Sequence, residues 1–104
     1  MRKVRIYRLA RLEIAEATGR YDEVSPVLGD ALVDELHTAL QQLAEFPLST
    51  PLIRGEIQKR PLFRFPYSIF YREKGGEVQV IAFVHQHRGP EHLAERLQHE
   101  GGKG

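Results

Sequence analysis

Residues 60–90, RPLFRFPYSIFYREKGGEVQVIAFVHQHRGP, hold the strongest strand signals of the chain and its clearest turn. Lys74-Gly75-Gly76-Glu77 separates two runs rich in aromatic and β-branched residues, and a Gly-Gly pair supplies the positive φ angles of a two-residue hairpin loop. With Gly75 and Gly76 as the loop, Arg72 falls opposite Gln79, Phe70 opposite Ile81, Ile69 opposite Ala82 and Tyr67 opposite Val84. Residues two apart on a strand share a face. One face then carries Tyr67, Ile69, Tyr71, Val78, Val80, Ala82 and Val84, is apolar throughout, and should be covered by helices. The other carries Ser68, Phe70, Arg72, Gln79, Ile81, Phe83, His85 and His87, a mixture of apolar, cationic and imidazole groups that suits a partner surface.

Upstream of this hairpin the chain reads as scaffold. Val4-Arg5-Ile6-Tyr7-Arg8 alternates and is β-prone, giving a short first strand able to join the sheet edge. From Leu9 the period changes: Ala10, Ile14, Ala17 and Tyr21 are spaced 4, 3 and 4, one face of a helix reaching about Glu23. Ser25-Pro26 is a cap followed by a proline at a permitted first-turn position, although Gly29 allows the second helix to start as late as Asp30. Leu32, Leu36, Leu40, Leu43 and Phe46 form its apolar row, and Pro47 stops it. Residues 53–65 read as a weaker strand region interrupted by Pro61, since proline cannot donate to a ladder. After Gly89-Pro90, residues 91–97 form a short terminal helix, and 101–104 a mobile tail. The expected fold is α+β, in the order β-α-α-β-β-β with a small C-terminal helix, a helical hairpin covering one face of a mainly antiparallel sheet. Residues 1–100 are expected to form a single domain.

Composition narrows the function classes. A chain of 104 residues supports one modest core, and 41% hydrophobic with 28% charged residues is ordinary for a globular protein. No cysteine is present, so neither a disulfide framework nor a thiolate metal site is available. No long apolar run or signal-like N-terminus is visible, and the expected location is cytoplasmic, without a membrane partner. Fifteen basic residues nearly balance fourteen acidic ones, so any positive field must come from segregation. Between Arg54 and Arg72 the cations Arg54, Lys59, Arg60, Arg64 and Arg72 face the lone Glu56.

The ordered motifs resemble the RelE/ParE superfamily of type II toxins, most closely its ParE-like branch. They are Ala10-x-x-Glu13-Ile14-x-Glu16-Ala17-x-x-x-Tyr21, Ser25-Pro26-x-Leu28-Gly29, Phe46-Pro47, Arg60-x-Leu62-x-x-Phe65-Pro66-Tyr67-x-Ile69-x-Tyr71 and His85-x-x-Arg88-x-Pro90. The resemblance implies a toxin neutralised by a cognate antitoxin, alone or within a homodimer or toxin–antitoxin hetero-oligomer, and needing no cofactor. ParE-like members characteristically poison DNA gyrase without chemistry, whereas RelE-like members cleave mRNA on the ribosome. A third outcome is a relative that has lost toxicity and persists as a binding module.

Cleaving RNA through its 2′-hydroxyl requires a general base, a general acid and cations set against the developing phosphorane charge. Arg64, Arg72, His85, His87 and Arg88 are the groups available for that, with Arg64 facing His87 across the hairpin in the register above. As a binding surface for target or antitoxin, Arg60, Arg64, Phe70, Arg72, Ile81, Phe83, His85, His87 and Arg88 are the candidates. Phe70, Ile81 and Phe83 would form an exposed apolar patch unless a partner, or Leu93 and Leu97, covered them. The two histidines lack a third ligand at metal-site spacing, and no metal is expected. Arg60 also has a structural reading, pairing with Glu13 or Glu16 on the first helix. Tyr67 and Tyr71 read as core residues with hydroxyls at the rim.

Overall fold

A computed structural model describes residues 1–87 of the chain. Its elements are β1 (Lys3–Ile6), α1 (Arg8–Val24), α2 (Pro26–Glu45), β2 (Leu52–Arg54), β3 (Ile57–Pro61), β4 (Tyr67–Lys74) and β5 (Glu77–His85). The sheet order is β1-β5-β4-β3-β2, with β1 parallel to β5 and the other pairs antiparallel. The α+β class stands, with one strand more than expected: β2 and β3 form a second hairpin where a single interrupted strand was read. The expected helix over 91–97 and the tail at 101–104 lie outside the described residues.

The helices follow from their apolar rows. On α1, Ala10 and Ala17 are buried and Ile14 and Tyr21 half-buried against the same core. The Ser25 hydroxyl accepts the Val27 amide at 3.2 Å, so α2 starts at Pro26 rather than Asp30. Gly29 is buried where the two helices meet, and a Cβ there would lie 1.6 Å from Asp22 Oδ1. A side chain at 29 would displace the Asp22 carboxylate that now rests against the glycine. Leu32, Leu36 and Leu43 enter the core as expected, but Phe46 is 64% exposed. The helix ends at Glu45, and Phe46 has left helical geometry (φ −130°), so its spacing no longer aims it at the sheet.

The Gly75–Gly76 loop has φ of 62° and 76°, the positive pair that a two-residue hairpin requires. From it the register runs as read, through Arg72↔Gln79 and Tyr71↔Val80. It then shifts by one: Phe70 pairs with Ala82, Ile69 with Phe83 and Tyr67 with His85, so Ile81 is an extra residue, a β-bulge. Beyond the bulge every face assignment on β5 inverts. Phe83 joins Tyr67, Ile69, Tyr71, Val78 and Val80 beneath the helices. Ile81, Ala82 and the half-buried Val84 join Tyr7, Ile57 and Phe70 in a second apolar cluster on the outer face. Phe70, Ile81 and Phe83 are only 2%, 0% and 1% exposed, so the expected open apolar patch is not there.

A polar knot closes the loop after α2. Gln58 Nε2 donates to the carbonyls of Pro47 (2.7 Å) and Thr50 (2.8 Å). The Tyr71 hydroxyl donates to Pro47 at 2.7 Å and meets Thr50 Oγ1 at 2.7 Å. That hydroxyl is therefore internal, not at the rim. These four hydrogen bonds give a buried glutamine and tyrosine the partners that burial would otherwise deny them.

Candidate functional site

The polar sequence candidates among the described residues sit in three different places. Arg72 is 8% exposed on the outer face. Its Nε donates to Gln79 Oε1 at 2.7 Å, Nη1 to Glu56 Oε1 at 2.8 Å and Nη2 to the Tyr7 hydroxyl at 3.1 Å. Tyr7 in turn donates to Gln79 at 3.0 Å. The guanidinium thus ties β4 to β5, to the end of β1 and to the β2–β3 turn, with each of its three nitrogens donating within the protein.

His85 lies at the far end of the hairpin and on the helix side. Five residues of β4, roughly 16 Å, separate Arg72 from Tyr67, the residue paired with His85. The His85 ring meets Tyr67 edge-on at 5.4 Å and stacks on His87 at 4.9 Å, while the His87 amide donates to His85 Nδ1 at 3.3 Å. His85, Tyr67, Phe83 and Val84 border an open groove of about 160 Å³ whose other wall is Glu13, Glu16, Ala17 and Arg20 of α1. Tyr21, one turn further along α1, has its phenol pushed above the ordinary range by burial and by the neighbouring Tyr67.

The groove exists because β5 outruns β1. Their pairing stops at Ile6↔Val80, with Tyr7 donating to the Val80 carbonyl at 2.9 Å, and the chain then turns into α1. The Phe83 amide, left without a strand neighbour on that side, donates to Glu13 Oε1 at 3.0 Å.

Arg60 and Arg64 occupy a third place, beside α2. Arg60 donates to Gln42 Oε1 at 2.9 Å and to the Pro61 carbonyl. Its expected partners, Glu13 and Glu16, are taken up elsewhere: Glu13 by Phe83, and Glu16 by Arg20 one turn away. Arg64 is not on a strand facing His87. It lies in the 62–66 connection, where the Phe63 and Arg64 amides both donate to the Glu35 carboxylate, at 3.1 Å for Arg64. Between the two arginines Phe63 is 84% exposed, with the Arg60 guanidinium 4.7 Å from its ring centre.

Phe63 and Glu35 were not among the sequence candidates. The signal was present: Pro61 and Pro66 remove a ladder donor at each end of this segment, so an aromatic inside it either packs or is displayed. Arg88 lies outside the described residues. Among the described residues no three histidine, aspartate or glutamate side chains gather as a metal-binding set. Nor is any helix there long and apolar enough to cross a membrane.

Comparison with known proteins bears on most of the chain. The family model described as the ParE toxin of type II toxin–antitoxin system, parDE, matches residues 4–90. Among solved structures, a chain of the chromosomal ParDE TA system from P. aeruginosa is similar with a TM-score of 0.58 and 18% identity, covering 82% of this chain and 96% of that one. At that identity the likeness speaks for the fold. No curated protein matches.

Proposed function

The chain belongs to the ParE toxin family of type II toxin–antitoxin systems, and from that premise we propose that it acts in the cytoplasm by binding DNA gyrase rather than by cleaving RNA. Membership implies a cognate antitoxin as its partner. The observation that carries the binding reading is the dispersal of the candidate catalytic groups. A composite nuclease site needs its base, acid and cations around one phosphate. Here Arg72 is consumed by Glu56, Gln79 and Tyr7 on the outer face, the histidines border a groove on the helix face, and Arg64 sits on a loop strapped to α2. Phe70, Ile81 and Phe83, being buried, do not serve as anchors for a partner in this state. The exposed cations and Phe63 remain for that purpose.

The test is induction of the chain in bacteria with and without its antitoxin, following DNA and protein synthesis separately. Gyrase poisoning gives early DNA-damage signalling with translation intact, and purified gyrase loses supercoiling activity. Prompt translational arrest, relieved by His85→Ala, His87→Ala or Arg64→Ala, would establish the nuclease instead. Unchanged growth at verified soluble expression would favour the non-toxic binding module.

A further inference from the structure

We infer that Phe63, with Arg60 and Arg64 beside it, is the knob by which this toxin docks on its target protein, entering an apolar socket rimmed by carboxylates. The inference rests on the binding reading above and adds the contact residue and the chemistry of its seat.

Exposure alone does not make the case, since single apolar side chains are scattered over any protein surface. What sets Phe63 apart is that it is both exposed and held. Its amide and that of Arg64 are fixed by one carboxylate, Glu35, and the Arg60 guanidinium over its ring is fixed by Gln42. Glu35 and Gln42 are seven residues apart on α2, two turns along one face and roughly 10 Å of axial rise. The 60–64 segment is therefore strapped to a helix at both ends, and the ring is presented by a rigid element. A ring ordered before contact loses little conformational freedom on binding, which is the main cost of most displayed side chains. Aromatic and arginine side chains are also the types that dominate interface energetics when they enter desolvated pockets.

Charge specifies the rim. Arg60 and Arg64 flank Phe63, whereas Lys59 lies over Phe70 on the other face of the sheet, and the acidic side chain bonded to this segment is Glu35, so two guanidiniums stand against one carboxylate. That balance leaves a net positive charge beside the ring, which an acidic rim complements. A protein socket fits better than a nucleic-acid base, because the Arg60 guanidinium already lies over the ring that a base would stack on.

The experiment compares wild type with Phe63→Ala, Phe63→Tyr and the Arg60→Ala/Arg64→Ala double variant. The readouts are thermal midpoint, antitoxin binding, binding to immobilised purified gyrase, and growth arrest on induction. Expected are an unchanged midpoint and antitoxin affinity for Phe63→Ala, with target binding weakened about 30-fold or more and growth arrest lost. Phe63→Tyr should keep most of the activity, and the arginine double variant should flatten the salt dependence of binding. Target binding and arrest within about twofold of wild type for a folded Phe63→Ala protein would overturn the proposal. So would loss of antitoxin binding with target binding intact, or loss of a nucleic-acid interaction in its place. If wild type arrests growth without touching gyrase, the gyrase assignment fails; the knob then stands if Phe63→Ala abolishes arrest and falls if it does not. A wild-type chain that neither binds gyrase nor arrests growth overturns both.

Discussion

The Glu13 carboxylate on α1 accepts the Phe83 amide on β5 at 3.0 Å, doing for that amide what a neighbouring strand does for the residues before it. Removing the acceptor leaves a part-buried donor unmet, which costs about 1–3 kcal/mol. Glu13→Ala should lower unfolding free energy in urea by that amount and raise hydrogen exchange at Phe83. Glu13→Gln keeps an acceptor oxygen and should lose less than half as much.

Arg72 and Glu56 are unequal partners. The arginine is almost wholly buried and bonds three side chains, whereas the Glu56 side chain is 53% exposed. Arg72→Ala removes three hydrogen bonds and opens a gap, leaving Tyr7 and Gln79 only each other and Glu77, for a loss of about 2–4 kcal/mol. Glu56→Ala should cost under about 1 kcal/mol, since its ion pair is largely screened by water. Denaturant titration of both variants checks the asymmetry.

Tyr71 makes stability fall in alkali. Burial pushes its phenol above the ordinary 10.0, an effect only partly offset by the Thr50 hydrogen bond and by Arg60. Below pH 10 both states hold the proton. Above it the unfolded chain releases the proton while the folded chain retains it, so unfolding becomes easier as pH rises, by up to about 1.4 kcal/mol per pH unit for this group. Tyr71→Phe should weaken that slope, leaving the contribution of Tyr21, and should cost about 1–2 kcal/mol at neutral pH through the lost hydroxyl contacts. Thermal or urea unfolding from pH 8 to 11 measures both effects.

Glu35→Ala frees the 62–64 turn from α2. Two charge-assisted hydrogen bonds disappear, but the turn is exposed and water replaces them, so the global loss should be about 1–2 kcal/mol. The local effect is sharper: the Phe63 and Arg64 amides should exchange faster while the β4–β5 ladder stays protected, a contrast that amide-exchange mass spectrometry resolves.

Periodicity and turn chemistry made much of this fold legible. Ser25-Pro26 marked the second helix, the leucine row its buried face, and Gly75-Gly76 the hairpin. What failed was phase. In Val78-Gln79-Val80-Ile81-Ala82-Phe83-Val84 only Gln79 is polar, so beyond it either alternation fits equally well and nothing local announces an extra residue at Ile81. That one residue moved Phe83 and His85 to the helix side and Ala82 and Val84 away from it. The β2–β3 turn at Gly55-Glu56 was overlooked because its first strand is only three residues long. Arg60 was paired with the wrong helix because sequence gives charge but not the path of a proline-bracketed loop. The site was therefore readable as a set of residue types, while their grouping depended on one bulge and one loop.

The pairing of Lys3 with Glu77 has a consequence for when the protein becomes active. β1 finds its neighbour only after the β4–β5 hairpin has been made, and so long a loop closure is slow relative to the local β4–β5 contact. A nascent chain that has not reached Glu77 lacks the completed sheet and the cleft between α1 and β5. Products truncated before β5 are accordingly incomplete folds, and the sheet closes only once residues 77–85 have been made.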